Sequence, residues 1–257
     1  MKVVSVAIQK GGAGKTTTTV NLAAALRDAG KKCLLIDLDP QASLSHSLGI
    51  SDELESNVYH LLKQESTGEP APPEGAIVER YGLDVLPSSL ELAGAELELV
   101  SVYGREQILS QIVQRLDKAY DYVLIDCPPS IGMLTVNALV ASDYLLMPLQ
   151  AEFLSLKGAK SFLRHLDLMK RINGELKLLG FVLTKYDARK TMTAEVETQL
   201  KNDFGKAKVF DTHIRSNIAL AKAQQSGKDI FTFRKSTHGA ADYYQLGQEF
   251  LRKVTEQ

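Results

Sequence analysis

The sequence predicts an α/β protein built on a doubly wound, mostly parallel sheet flanked by helices. Short apolar runs without polar alternation recur along the chain, as strands buried on both faces do. Helical patterns follow these runs in a βαβα order. The first run, moreover, passes directly into a glycine-rich turn that opens a helix. Strands are expected at Val3–Ile8, Cys33–Ile36, Leu83–Leu86, Tyr122–Ile125, Tyr144–Met147 and Leu178–Leu183, with helices near 16–29, 91–99, 104–117, 133–141 and 155–172. Gly30 stands where a helix C-terminal cap belongs. Beyond Thr184 the pattern gives helices near 193–202, 217–225 and 239–255 and one short strand at Val209–Phe210. No repeat, heptad run or Ser/Gly linker divides the chain, so residues 1–257 are read as a single domain. Residues 64–75, with Gly68, Pro70, Pro72 and Pro73, are read as a flexible loop.

At 44% hydrophobic and 24% charged residues, the chain has the composition of a globular protein, which excludes collagen-like, mucin-like and wholly disordered classes. With 30 basic against 31 acidic residues there is no global field to draw a polyanion or a membrane, so such a partner needs a local patch. Charge is uneven: residues 51–100 hold eleven acids and two bases, whereas residues 185–235, read as a basic surface region, hold eleven bases and six acids. Cys33 and Cys127 lie inside apolar runs and read as core thiols suited to a reducing cytoplasm. The five histidines show no pair at metal-ligand spacing. No leader precedes the first strand, and the longest apolar stretches fall short of the ~20 residues of a membrane span, so a soluble, intracellular protein is expected.

The strongest local signal is Lys10-Gly11-Gly12-Ala13-Gly14-Lys15-Thr16-Thr17, between a strand and a helix, where a phosphate-binding loop belongs. Glycines let the backbone wrap a phosphate chain, and successive N–H groups and the helix N-terminus face the anion. Lys15 neutralises terminal phosphate charge, and the Thr16 hydroxyl can ligate Mg²⁺. The usual glycine four residues before the Gly-Lys pair is replaced by Lys10, which makes a narrower signature with a second lysine. This places the fold in the P-loop NTPase type.

Carboxylates complete the pattern. Tyr122-Val-Leu-Ile-Asp126 is an apolar strand ending in an acid that can hold Mg²⁺ through water. Asp37-Leu-Asp39-Pro40-Gln41 ends the second strand in the same way. Asp39, farther out, is positioned to orient an attacking water, whereas Asp37 caps or ligates nearby.

These segments, with Val20-Asn-Leu-Ala23, Leu92-Ala-Gly-Ala-Glu-Leu-Glu98, Tyr120-Asp-Tyr-Val-Leu-Ile-Asp-Cys-Pro-Pro-Ser130 and Leu134-Thr-Val-Asn-Ala138, closely resemble the ParA/Soj partition ATPases of the deviant Walker A group, which also holds MinD. The resemblance runs from residue 1 to about 250. It implies a slow, Mg²⁺-dependent ATPase that forms a homodimer on ATP, with Lys10 reaching the partner's phosphates, Lys15 and Thr16 acting in their own subunit and Asp39 activating water. It also implies nonspecific double-stranded DNA binding by the ATP dimer, stimulation by a ParB-like adaptor, and a cytoplasmic, nucleoid-associated protein without a membrane partner. The cargo, whether chromosome, plasmid or protein assembly, is written in another chain.

The sequence also departs from the family. In many relatives the segment matching Ile214–Ala223 carries Pro-Arg-Asn, an arginine where Ala219 stands and Ser-Glu where Ala221-Lys222 stand, so a DNA contact at position 219 does not transfer. Arg189, in Tyr186-Asp-Ala-Arg189, matches a DNA-contacting arginine of the family; Lys190 beside it, Arg215 and Lys222 complete the expected DNA surface. The upstream helix-turn-helix region of longer plasmid relatives is not seen, so control of its own operon is not expected. A MinD-like membrane-cycling ATPase is the alternative. It would use a basic amphipathic terminal helix, but the apolar stripe of Tyr243–Val254 reads more simply as core-facing.

Overall fold

Residues 1–117 and 119–256 are described by a computed structural model. Among them, one sheet contains eight strands: β1 (Lys2–Val6), β2 (Cys33–Asp37), β3 (Val78–Arg80), β4 (Leu83–Leu86), β5 (Tyr122–Asp126), β6 (Tyr144–Gln150), β7 (Lys177–Tyr186) and β8 (Ile214–Arg215). Their spatial order is β3-β4-β2-β5-β1-β6-β7-β8, parallel except for the β3–β4 hairpin. Along β2, Leu34 and Ile36 enter one core and Leu35 the other, and burial on both faces removes the polar alternation of a half-exposed strand.

One face is covered by α1 (Lys15–Asp28), α2 (Ser43–Ser47), α9 (Ile218–Gln225), α10 (Ile230–Arg234) and α11 (His238–Thr255), through Leu22, Leu44, Leu220, Ile230 and Phe250. The opposite face is covered by α3 (Val58–Thr67), α4 (Leu92–Glu98), α5 (Ile108–Gln114), α6 (Met133–Val140), α7 (Phe153–Met169) and α8 (Thr191–Phe204), through Leu61, Leu92, Ile112, Leu134, Phe162 and Val196. The chain leaves central β1 for strands on one side of it and later returns to β6 on the other, which opens a crevice at the carboxyl end of β1.

Several elements differ from expectation. The stretch 64–75 is not a continuous loop: residues 64–67 form the last turn of α3, Gly68 caps it at φ 79, and Pro73–Ala76 form a 3₁₀ turn. The side chain of Asn57 starts α3 by accepting from the N–H groups of Tyr59 and His60. The helix expected over 104–117 is shortened to α5 behind a 3₁₀ turn at Arg105–Gln107, because Asn137 of α6 accepts from Leu109 N and donates to Arg105 O. Val209–Phe210 is not a strand. It makes one bridge to Phe181, with Phe210 N donating to Phe181 O at 2.9 Å, and pairing with β7 resumes at Ile214. Gly180 permits that approach, since a Cβ there would stand 2.6 Å from Lys208 O.

Candidate functional site

The crevice at the end of β1 is lined by residues 11–17. Gly12 (φ 68) and Gly14 (φ 91) adopt the left-handed backbone that the tight turn requires, and no atom lies within 4 Å of where a Cβ of Gly11 or Gly12 would stand. Gly14 is the N-cap of α1 and offers no side-chain acceptor, so the first-turn N–H groups remain available to an anion. Together with Ala13, Lys15, Thr16 and Thr17 they line a groove of about 580 Å³ whose walls include Asp39, His46, Pro129 and Lys185.

Lys15 is 8% exposed, and its ammonium donates to the carbonyl of Lys10 at 3.4 Å. The Thr16 hydroxyl donates to Asp126 Oδ2 at 2.6 Å, so the donor expected for a cation and the acid expected to stand behind it are in direct contact. Asp126 is fully buried, and burial, with the charge of Asp37 second, pushes its carboxyl up to about 8 against the opposing hydrogen bond from Thr16. Asp37 is its neighbour in register on β2; burial raises it to about 6. Asp37 turns away from the groove: its Oδ2 accepts from Ser45 N at 2.9 Å and Ser45 Oγ at 2.8 Å, so it caps α2. Asp39 is half-buried, accepts from Gln41 N at 2.9 Å and lines the groove. Of the three acids it is the one presented to a ligand.

Lys10 is folded back on its own chain. Its ammonium donates to Gln150 Oε1 (3.0 Å), Glu152 Oε2 (2.7 Å) and Ser155 Oγ (2.8 Å), at the junction of β6 and α7. The hydrogen bond to Lys10 holds the Glu152 carboxyl below its ordinary value. Reaching any other anion requires Lys10 to exchange these acceptors.

A second pocket, of about 200 Å³, continues the groove past Gly14 and Thr17 and is lined by Thr184, Asn217, Leu220 and Tyr243. Gln224 and Lys185 line both parts. Thr184 Oγ1 donates to Ala13 O at 2.8 Å, and Gln224 Nε2 donates to Thr17 Oγ1 at 3.1 Å, which ties β7 and α9 to the phosphate loop. Sequence reasoning missed these residues. The available signal was positional: Thr184-Lys185 ends a parallel strand, where ligands gather in such sheets. A strongly anionic chain fits the loop, an elongated molecule fits the two joined pockets, and Thr16 with Asp126 fits a divalent cation shared with phosphate oxygens. Among the described residues, no three His, Cys, Asp or Glu side chains are grouped to hold a metal unaided.

The four basic residues expected on a DNA surface are not equivalent. Arg189 and Lys190 lie exposed in the β7–α8 turn; the guanidinium of Arg189 forks onto Asp187 at 2.9 Å through both Nε and Nη2. Arg215 lines the same 670 Å³ cleft as Arg189, but it is bound through its N–H, Nε and Nη2 to the buried carboxylate of Asp242. It is therefore a less available cation than the sequence suggested. Lys222 is exposed on α9 and does not line that cleft.

The sequence profile of the AAA domain family matches residues 1–178. Sporulation initiation inhibitor protein Soj from Bacillus subtilis is 40% identical over 250 residues, spanning 96% of this chain and 97% of that protein. Chromosome-partitioning ATPase Soj from Thermus thermophilus is 41% identical over 254 residues, spanning 98% and 96%. Among solved structures, cobyrinic acid a,c-diamide synthase from Mycobacterium smegmatis with bound ADP and magnesium superposes with a TM-score of 0.85 at 36% identity, covering 99% of this chain and 96% of that one. With near-full-length identity of this order, the chain belongs to the Soj/ParA family of chromosome-partitioning ATPases.

Proposed function

We propose that this protein is a Mg²⁺-dependent ATPase that dimerises on ATP, binds double-stranded DNA without sequence preference as that dimer, and is stimulated by a ParB-like adaptor while positioning a chromosome, plasmid or other cargo. The observation that carries the reading is the convergence of Lys15, Thr16 and Asp126 on the uncapped N-terminus of α1, with Asp39 on the groove wall. Bound magnesium would draw charge from the terminal phosphates. Lys15 and the loop N–H groups would hold those phosphates; Thr16 would hold the cation through its hydroxyl, with Asp126 behind it through water. Asp39 orients the attacking water and takes its proton. Lys10 leaves Gln150, Glu152 and Ser155 for the phosphates of a second subunit, which makes turnover depend on dimerisation and keeps it slow.

A membrane-cycling reading finds less support, because the apolar stripe of α11 is occupied: Tyr243, Leu246 and Phe250 are fully buried against the core. Phosphate release tests the proposal. Lys15→Ala is expected to lose nucleotide binding. Asp39→Ala is expected to bind ATP with near-wild-type affinity while turnover falls at least about 100-fold, the range of lost base catalysis. Wild-type turnover by Asp39→Ala would remove its assigned role. Turnover that required a carboxylic acid and converted it to an amide would instead support chemistry like that named for the Mycobacterium smegmatis synthase.

A further inference from the structure

Among the described residues, three other than glycine have a left-handed backbone: Ala42 (φ 49), Tyr81 (φ 51) and Lys185 (φ 50). Tyr81 is accounted for by the two-residue hairpin turn with Gly82 between β3 and β4, a turn type that requires positive φ at both positions. Lys185 is not in such a turn. It lies within β7, where pairing with β8 passes from Thr184↔Ile214 to Tyr186↔Arg215 and leaves Lys185 as a bulge with no partner opposite. A left-handed bulge is a place for glycine, and a β-carbon there is a steric cost that persists only when the surroundings enforce it. Both neighbours are enforced. The Thr184 hydroxyl is bonded to Ala13 O, the Tyr186 ring stacks on His213 at 4.0 Å between centroids, and the Tyr186 hydroxyl donates to Glu197 at 3.1 Å.

The bulge delivers an exposed lysine to the place where the phosphate groove and the second pocket meet, beside Gly14, Thr17 and Gln224. Among the described residues its ammonium makes no ion pair; the carboxylate whose charge it meets is that of Glu152, which is already held by Lys10 at 2.7 Å. Bulges that re-aim a side chain are a feature of binding sites. We propose that Lys185 is a further nucleotide-binding residue, whose ammonium holds the phosphate nearest the sugar. Lys15 and Thr16 occupy the terminal-phosphate end and Asn217, Leu220 and Tyr243 the opposite end, so the junction falls at that first phosphate. The assignment rests on the nucleotide reading of the groove. It adds that backbone strain at Lys185 is retained for ligand binding rather than for the fold.

The test pairs thermal unfolding of the ligand-free protein with calorimetric titration of ADP and ATP in the presence of magnesium. Lys185→Gly relieves the strain, so its Tm is expected to rise by roughly 2–4 °C. Its affinity for ADP and for ATP should nevertheless fall by the same factor, about tenfold, as expected for loss of a charge-assisted contact. Lys185→Asn, which tolerates the left-handed backbone, should lose affinity equally without a lower Tm. Lys185→Arg should retain affinity. Unchanged affinity for both nucleotides in the glycine and asparagine variants would overturn the proposal. A loss confined to ATP would move the ammonium to the terminal phosphate and overturn it equally. Failure of the groove reading looks different: the wild type itself would then bind neither nucleotide.

Discussion

Asp126 and Asp37 lie side by side at the ends of β5 and β2, fully buried; Thr16 donates to Asp126, whereas Asp37 is held by Ser45. Burial makes ionisation of Asp126 costly, and a second carboxylate beside it makes it costlier, hence the rise from 3.8 to about 8. At neutral pH the ligand-free chain therefore keeps a proton on Asp126. Because the folded value lies above the unfolded one, this group favours the ligand-free fold most at low pH, and that contribution is lost as pH rises through about 8. In the proposed site, a divalent cation held by Thr16 would reverse the preference and favour loss of the proton. Magnesium–nucleotide binding near neutral pH should thus release about one proton, falling towards zero above about pH 9. Titrations in buffers of different ionisation enthalpy measure this release directly; Asp126→Asn should abolish it. Release that persisted in Asp126→Asn would place the titrating group elsewhere. At this scale the phosphate loop was legible because its residues are contiguous and each type has one role there. Lys185 and Gln224 were not, because they stand about 170 and 210 positions from the loop and reach it only through the tertiary fold, from the end of β7 and from α9.

The helix that separates the two rival outputs is α11. Its buried stripe packs against α1, the helix that carries the phosphate loop at its N-terminus, and Gly247 sits at the closest approach: a Cβ there would stand 2.9 Å from the Cβ of Ala25. Gly247→Val should force the two helices apart and destabilise the protein by about 1–3 kcal/mol, the usual cost of overpacking, measurable by urea denaturation. An unchanged midpoint would show that α11 is not seated there and would reopen the membrane reading. The core-facing role of α11 was readable from its 3.6-residue stripe, as were the strands buried on both faces. Where local signals rested on a single residue, reading failed: α3 depends on the Asn57 cap, β3 on a two-residue turn, and the true eighth strand on two residues held by Asp242.

Across the whole molecule, net charge of −1 gives the monomer little attraction for a polyanion, so the proposed DNA binding would have to come from local basic residues gathered in pairs of subunits. The structure narrows that surface. Arg189 and Lys190 are exposed together, whereas replacing Arg215 would leave the buried Asp242 carboxylate unpaired and confuse lost folding with lost binding. The adaptor and cargo were never legible, since nothing in one chain encodes a partner's sequence. The ATP-gated dimer is the claim on which the rest depends, and a mobility-shift series on random duplex DNA with ADP or ATP at rising salt tests it most directly. Wild-type protein should shift DNA with ATP and not with ADP. The shift should weaken steeply with salt, as counterion release requires, and should be lost both in Lys10→Ala and in Arg189→Glu/Lys190→Glu. Equal binding with ADP and ATP, undiminished in Lys10→Ala, would contradict the account.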